Sequence, residues 1–220
     1  MSDGIEKPAA LPLSAEDALQ RLLRIRDIAQ TGLSYTEDAF GQERYEELLQ
    51  IVTELTAGTL DLPATELAGA FLPDGGYPTP KVEVRAGVFR DGKVLLVQEA
   101  SDKRWALPGG WCDQPLSPGA NVVKEVFEET GLRVTAEKLA AIRDVSVQTY
   151  RPQRLEHVYK LLFLCSDGVG TLRGSLETDN AAFHPVDELP PLSTGRTLPD
   201  DILCLARHRI DLALPTQFND

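Results

Sequence analysis

The sequence is poor in the side chains that build zinc sites and disulfide frameworks. Its 220 residues include only three cysteines, Cys112, Cys165 and Cys204, and three histidines. The cysteines are odd in number and widely spaced, and no Cys-x-x-Cys occurs. A zinc cluster or a disulfide scaffold is therefore not expected, and a reducing cytoplasm is the natural setting for the chain.

Positive charge and long apolar runs are also scarce. Asp and Glu number 34 against 22 for Lys and Arg, which gives a formal net charge of −12. This balance leaves no basic surface for a phosphate backbone and argues against nucleic acid as a partner. An anionic substrate would need local positive charge, most simply a bound divalent cation. No apolar run is long enough to span a bilayer, and the N-terminus lacks the apolar centre of a signal peptide, so no membrane partner is expected.

The first third of the chain has helical periodicity. Residues 14–30 form a predicted amphipathic helix that begins at Ser14, and a second helix is predicted over about 35–56. A shorter helical piece is expected at 64–70, and the Pro- and Gly-rich stretch 72–80, "LPDGGYPTP", is predicted to be a linker. We therefore predict a helical N-terminal domain over 1–71, a linker over 72–80 and a second domain over 81–220.

The periodicity changes after the linker. Apolar residues alternate from Val82 to Val88, which predicts a strand with Arg85 on the face opposite to the apolar residues. Asp91-Gly92 between two apolar runs predicts a tight hairpin. Strands are also expected at about 142–149, 157–165 and 181–184, with helices at about 118–130 and 199–210. This alternation indicates a mixed α/β domain behind the helical segment.

The stretch 124–132, "KEVFEETGL", is rich in glutamate and lies on the helix predicted over 118–130. At roughly 100° per residue, its three glutamates fall within an arc of roughly 100°, while the valines before them face the other way. The apolar arc would fix the helix to the core and hold the carboxylates in one direction. The residues concerned are Glu125, Glu128 and Glu129.

Three carboxylates on so short an arc repel one another, and like charges at these spacings destabilise a helix. Either one of them binds a proton or a cation offsets the repulsion. Oxygen ligands of this kind suit Mg²⁺ or Mn²⁺, which commonly bind substrate phosphates as well. The loop "RWALPGGW" comes before the helix, and its glycines Gly109 and Gly110 would let backbone groups approach a ligand closely.

At this point the sequence resembles the Nudix hydrolases, whose box is written G-x5-E-x7-R-E-U-x-E-E-x-G-U, with U an apolar residue. Here the box runs from Gly110 to Leu132, with all three glutamates of its second half and both glycines in register. Leu116 stands where the box has its first Glu, and Lys124 stands where it has Arg. We expect these departures to lower activity without harming the fold, and Lys124 to pair with Glu128 one helical turn away.

The resemblance extends to one Nudix branch that has a helical N-terminal domain and acts on X-linked nucleoside diphosphates. "YTEDAFGQERYEELLQIV" is similar to that N-terminal domain, and "VRAGVFRDGKVLLVQE" is similar to its catalytic domain. The resemblance implies a Nudix-type α/β/α sandwich with a mixed sheet. It also implies a homodimer formed through the N-terminal helices, and metal-dependent hydrolysis of a pyrophosphate bond in substrates of the ADP-ribose or CDP-choline type. The products would be a nucleoside monophosphate and phosphorylated X.

The resemblance also assigns roles to particular residues. By similarity, the metal ligands are Glu125, Glu128, Glu129 and the carbonyl of Gly109. A box glutamate, represented by Glu128, or the loop residue Glu177 would accept the proton of the attacking water. The candidates for substrate binding are Arg85, Arg104 and Gly110. For Arg85 a surface salt bridge is an equal alternative, for Glu177 a solvated loop position is an equal alternative, and for Trp111 a place in the core is expected.

Two other functions compete with hydrolysis of such a diphosphate. The first is a Nudix-fold module that binds a nucleotide and has lost turnover, which the two departures from the box would favour. The intact set of three glutamates opposes it, because a sensor has no need of three crowded anions. The second is cleavage of RNA ends or exonuclease activity, against which the net charge of −12 argues.

Overall fold

The computed structural model describes residues 14–60, 76–152, 154–175 and 178–218, and divides the chain into two compact units, 1–79 and 80–220. The predicted helical piece at 64–70 and residues 72–75 of the predicted linker lie outside the described residues. None of the helices in the described part of the chain is long and apolar enough to cross a membrane.

The first unit contains two helices, α1 (Ala15–Tyr35) and α2 (Ala39–Leu60). The hydroxyl of Ser14 accepts a hydrogen bond from the amide of Asp17 at 3.0 Å and so caps α1, as its position predicts. Gly32 on α1 leaves room for the ring of Tyr45, because a Cβ atom there would lie 2.2 Å from that ring. Both helices are confirmed; α1 ends about one turn later than the sequence predicts, and α2 both begins and ends about one turn later.

Large apolar side chains remain exposed on both helices of the first unit. Tyr35 and Phe40 are 71% and 73% exposed. The other large apolar side chains exposed on these helices are branched aliphatic ones, namely Ile25, Ile28, Leu48, Ile51 and Leu55. So many exposed large apolar side chains on two helices are typical of a face that another protein surface covers.

The second unit is built on two sheets. The first has the order β1 (Lys81–Gly87), β6 (Val158–Cys165), β5 (Ala136–Asp144), with β1 parallel and β5 antiparallel to β6. In the second sheet β3 (Lys93–Glu99) pairs antiparallel with β7 (Thr178–Pro185) along its length, and with the short strands β2 (Phe89–Arg90) and β4 (Trp105–Ala106). The hairpin at Asp91-Gly92 is confirmed, and both residues have the positive φ that its tight turn requires.

Two helices complete this unit, α3 (Pro118–Thr130) and α4 (Pro199–Ile210). Val122 and Val126 of α3 are fully buried in one apolar cluster with Leu95 of β3. Ile202 and Leu205 of α4 are buried in a second cluster that includes residues of β3 and β6. The helices thus pack on opposite faces of the sheets, which confirms the predicted α/β/α architecture, and both helices begin and end where the sequence predicts.

The strand predicted over 142–149 is wrong in its bounds. The structure has β5 over 136–144, followed by a turn of 3₁₀ helix at Val145–Val147. The carboxylate of Asp144 accepts hydrogen bonds from the amide and the hydroxyl of Ser146, at 2.9 and 2.6 Å. This local hydrogen bonding competes with the ladder and ends the strand.

Candidate active site

The glycine-containing loop runs along the open edge of β1. The carbonyls of Pro108 and Gly110 accept hydrogen bonds from Ala86 and Val84 of β1, at 2.8 and 2.9 Å. Among the described residues none donates a hydrogen bond to the carbonyl of Gly109, which lies between them. Gly109 has a φ of +143°, and a Cβ atom there would lie 2.0 Å from the backbone of β1, so only glycine fits. The loop therefore holds one unused carbonyl oxygen in a fixed place.

Helix α3 is held rigidly at both ends. The hydroxyl of Ser117 accepts from the amide of Ala120 at 3.2 Å, and Pro118 opens the first turn. Gly131 closes the helix in the left-handed conformation, with φ +76°. Because the apolar face is buried as well, the glutamates of α3 start from a fixed backbone.

Glu129 is the most deeply buried of the three glutamates, with 6% of its surface exposed. Its Oε2 accepts a hydrogen bond from the amide of Gly109 at 2.9 Å, which ties the helix to the glycine loop. Burial raises the pKa of Glu129 from 4.5 to about 8, against the opposing effects of Arg85 and of the Gly109 amide. Without a bound cation, this carboxyl holds a proton at neutral pH.

Lys124 lies among the other carboxylates of the helix. Its Nζ is 2.9 Å from Oε2 of Glu128 and 3.4 Å from Oε1 of Glu125, so the predicted pairing with Glu128 is confirmed. Hydrogen bonding to Glu128, and then to Asp113, raises the pKa of Lys124. The pKa of Glu125 is also raised, chiefly by burial, although Lys124 opposes the rise. The ammonium thus offsets part of the repulsion between the glutamates.

Asp113 supplies a further carboxylate that the sequence reasoning missed. Its Oδ2 lies 3.1 Å from Nζ of Lys124, while the side chain of Leu116 is 43% exposed. The fully buried Asn121 fixes the turn, because its amide oxygen accepts from the Asp113 N–H and its amide nitrogen donates to the Asp113 carbonyl. Asp113 therefore gives Lys124 the acidic partner that the box places at position 116.

The carboxylates line a cavity of about 650 Å³, called here the larger cavity. Glu125, Glu128 and Glu129 form one wall together with Lys124. The remaining lining residues are Gly110, Trp111, Asp113, Phe127, Arg173, Gly174 and Ser175. Trp111 is 44% exposed at this cavity, so its expected place in the core is wrong. The loop carries the ring out of the core because it follows the edge of β1.

Arg85 lines a second space of about 200 Å³, the smaller cavity, which shares Gly110, Trp111 and Glu129 with the larger one. Its guanidinium donates to Oε1 of Glu83 at 2.7 Å and to the carbonyl of Leu107 at 2.9 Å. Arg85 thus forms a salt bridge, as the alternative expected, but with only 4% of its surface exposed this bridge is buried and not on the surface. The loop that pairs with β1 covers this face of the strand.

Glu83 keeps its charge although it is buried. Burial by itself would raise its pKa, but Arg85, Lys160 and Arg154 together lower the pKa to about 2. Arg154 lies 2.9 Å from Oε2 of Glu83 and also lines the smaller cavity. Sequence reasoning missed these partners, which come from β6 and the loop before it, because no local pattern reports pairing with a distant strand.

One predicted site residue that the structure describes, Arg104, is not brought into this arrangement. Arg104 does not belong to the lining of either cavity, and its amide donates to Asp102 at 2.9 Å. Glu177 lies outside the described residues. The other candidates named from the sequence all line one or both cavities.

The fold and the site together point to one class of protein. An α/β/α sandwich with three glutamates on a helix, beside a glycine-containing loop, is the arrangement of a metal-dependent hydrolase of phosphate anhydrides. Residues 79–204 match the model of the NUDIX domain, and residues 16–71 match Nudix_N, described as a UDP-X-like, N-terminal oligomerisation domain. The NUDIX match alone spans more than half of the chain. The chain belongs to the Nudix family and is a pyrophosphohydrolase of that family.

Individual relatives agree with this assignment. The chain is 42% identical over 187 residues to "Putative ADP-ribose pyrophosphatase YjhB" of Bacillus subtilis (strain 168), which covers 85% of this chain and 89% of that protein. The crystal structure of a UDP-X diphosphatase is 32% identical, covers 94% of this chain and 100% of its own, and has a TM-score of 0.59. The crystal structure of an ADP-ribose pyrophosphatase from Streptococcus suis 89-1591 is 38% identical, covers 64% of this chain and 100% of its own, and has a TM-score of 0.58.

Nudix hydrolases use divalent metal ions, and the residues present fit such an ion. Among the described residues no three acidic, histidine or cysteine side chains already form a closed metal-binding cluster. Mg²⁺ needs no such cluster, because it keeps several waters and binds through one or two carboxylates plus substrate phosphates. A Cβ atom on Gly110 would lie 2.8 Å from Oε2 of Glu125, so the glycine keeps open the space in front of that carboxylate.

Proposed function

We propose that the chain hydrolyses the pyrophosphate bond of a nucleoside diphosphate linked to a second group X, of the ADP-ribose or CDP-choline type. The products are a nucleoside monophosphate and phosphorylated X. The observation that supports this most strongly is the buried Glu129, which is joined to the Gly109 amide and lies beside Glu125 and Glu128 on the wall of the larger cavity.

The metal ligands in this proposal are Glu125, Glu128, Glu129 and the carbonyl of Gly109. Mg²⁺ or Mn²⁺, when bound, supplies positive charge against the diphosphate and makes a water molecule more acidic. The chain itself holds the carboxylates on a rigid helix and leaves the Gly109 carbonyl without a donor among the described residues. The raised pKa of Glu129, about 8, means that a cation competes with a proton for this carboxyl at neutral pH.

Glu128 is the proposed acceptor for the proton of the attacking water. Its side chain is 55% exposed and lines the larger cavity, so it is open to a water molecule there. Its bond to Lys124 gives the glutamate a fixed direction. Glu177 is the second candidate for this role, and separate Glu128→Gln and Glu177→Gln variants distinguish the two by which one removes the acidic limb of the pH–rate profile.

Arg85 and Gly110 are proposed to contact the diphosphate from the smaller cavity. The guanidinium of Arg85 is oriented by Glu83 and the Leu107 carbonyl, and an arginine fixed in this way presents its remaining N–H groups to phosphate oxygens. Arg104 stays a weaker candidate for substrate binding, since it lies at the start of the same loop but outside the cavity linings.

The N-terminal helices are proposed to form a homodimer. Their exposed apolar side chains and the match to an oligomerisation domain support this, because a symmetric partner would cover the same face on each chain. We also propose that the helical domain spans 1–71 and the catalytic domain 81–220, joined by a linker over 72–80. The proposed location of the protein is the cytoplasm.

The test is a screen of nucleoside diphosphate derivatives with Mg²⁺ and with Mn²⁺. ADP-ribose, CDP-choline and a UDP-sugar are incubated with the full chain, and the phosphomonoesters released are converted to phosphate by a coupled phosphatase. We expect release from at least one compound, and no release with Glu129→Gln. If the chain binds one of these compounds but hydrolyses none of them, the result would instead support a nucleotide sensor.

A further inference from the structure

Two arginines stack on a single aromatic ring at the rim of the larger cavity. The guanidinium carbons of Arg133 and Arg173 lie 5.2 and 5.3 Å from the centroid of the Phe127 ring. Phe127 is on α3, between the glutamates, and is 37% exposed. Arg173 and Phe127 line the larger cavity, whereas Arg133 does not belong to its lining.

The backbone fixes Arg173 in this place. Its amide donates to the carbonyl of Thr130, in the last turn of α3, at 2.9 Å. A Cβ atom on Gly131 would lie 2.8 Å from Cγ of Arg173, so the glycine that ends the helix also makes room for the arginine side chain. Arg173 is therefore tied to the same helix end as Glu129, although it comes from the loop before β7.

Arg173 differs from the other basic residue of the larger cavity in its ion-pair partners. Of the two basic residues in the lining, Lys124 already lies within 3.4 Å of three carboxylates. In the described ranges no carboxylate lies within ion-pair distance of Arg173. A guanidinium with no acidic partner among the described residues, beside a wall of glutamates, is available to bind an anion from solution.

We propose that Arg173, held on Phe127, binds a phosphate group of the substrate in the larger cavity. Its planar fork can donate two parallel hydrogen bonds to phosphate oxygens. The two cavities share Gly110, Trp111 and Glu129 in their linings, with Arg85 in the lining of one and Arg173 in the lining of the other, so a diphosphate bound along the shared residues would have an arginine in each cavity. Arg173 thus adds a residue of the loop before β7 to the proposed substrate site, and this inference rests on the proposed function.

Arg133 provides a matched control for the test. It stacks on the same ring at nearly the same distance, and in the described part of the chain it also lacks a carboxylate within ion-pair distance, but it lies outside the cavity lining. Arg173→Ala, Arg173→Lys and Arg133→Ala are compared with the wild type. Thermal unfolding midpoints show that the variants are folded.

The first measurement is calorimetric binding of inorganic pyrophosphate in the presence of Mg²⁺, which requires no turnover. We expect Arg173→Ala to weaken binding about tenfold or more, as for loss of a charge-assisted hydrogen-bonded pair. The affinity of Arg173→Lys for pyrophosphate should lie between those of the wild type and Arg173→Ala, because an ammonium cannot bind in a bidentate manner. Arg133→Ala should change the affinity less than twofold.

The second measurement is steady-state kinetics on whichever diphosphate the wild type hydrolyses. Arg173→Ala should raise KM about tenfold with a smaller change in kcat, since the contact is made in the ground state as well as in the transition state. Equal effects of Arg173→Ala and Arg133→Ala, or no pyrophosphate binding by the wild type, would overturn the proposal. If the wild type hydrolyses no diphosphate but the binding difference persists, the proposed function fails while the anion site stands.

Discussion

Glu129 is a buried carboxyl whose ionisation opposes folding in the absence of metal. Burial, against the opposing effects of Arg85 and Gly109, raises its pKa from 4.5 to about 8. A difference of that size corresponds to about 5 kcal/mol of preference for the neutral carboxyl. Because the folded pKa lies above the unfolded one, the stabilisation is fully present below about pH 4.5 and is lost as the pH rises through about 8.

Glu129→Gln removes this ionisation and keeps the shape of the side chain. Between pH 5 and 8 the metal-free wild type should lose roughly 3 kcal/mol of unfolding free energy through Glu129 alone. The variant should lose none of it, so at pH 8 its unfolding midpoint should lie roughly 6–12 °C above that of the wild type. Added Mg²⁺ or Mn²⁺ should stabilise the wild type more than the variant, because the ion binds the ionised carboxylate.

The assay is thermal unfolding in EDTA at several pH values, followed by tryptophan fluorescence. Both tryptophans of the chain, Trp105 and Trp111, lie in the second unit, so the signal reports that unit alone. Glu128→Gln is the matched control, because its side chain is on the same helix but more than half exposed. If the pH dependence of the midpoint is the same in Glu129→Gln and in the wild type, the burial argument for Glu129 is wrong.

Four further changes to the chain each test the role of one residue or domain. Glu125→Gln should lower kcat at least ~100-fold at saturating metal, as for loss of a major electrostatic stabiliser, and a near-normal kcat would remove it from the ligand set. Asp113→Asn should lower kcat/KM about threefold, since an exposed ion pair contributes at most about 1 kcal/mol. Leu116→Glu added to this variant should restore kcat/KM. An unchanged kcat/KM in Asp113→Asn would show that the Asp113–Lys124 pair has no effect. Gly131→Ala should destabilise the second unit by about 1–3 kcal/mol in denaturant unfolding, because alanine is strained at its φ of +76°; equal stability would contradict this. A chain that begins at Lys81 should be monomeric by light scattering and a poor catalyst, and a truncated dimer or full kcat/KM would show that the N-terminal helices serve another purpose.

Local signals explain the elements that the sequence predicts to the residue. The bounds of α3 follow from Ser117 and Pro118 at its start and Gly131 at its end, all of which act within one turn of the helix. The hairpin at Asp91-Gly92 is equally local. The direction of the three glutamates follows from helical periodicity, and the structure places all of them on the lining of the larger cavity.

Contacts between distant segments explain what the sequence does not predict. The burial of Arg85 depends on the loop at 108–112 pairing with the edge of β1, which no periodicity in either segment reports. Arg173 reaches Phe127 only because the loop before β7 binds the end of α3. Asp113 did carry a signal, since it is the single acidic residue between Gly110 and Ser117, in a box that lacks its first glutamate.

The chain is proposed to cleave a pyrophosphate bond with the carboxylates of α3. The most direct measurement is ³¹P NMR of ADP-ribose incubated with the full chain and Mg²⁺ in water enriched in ¹⁸O, with CDP-choline and a UDP-sugar run in parallel. We expect two phosphomonoester products from at least one of these compounds, with ¹⁸O in one of the two, and an intact substrate when the Glu129→Gln variant replaces the wild type. Intact diphosphates throughout, or equal product from the wild type and Glu129→Gln, would contradict it.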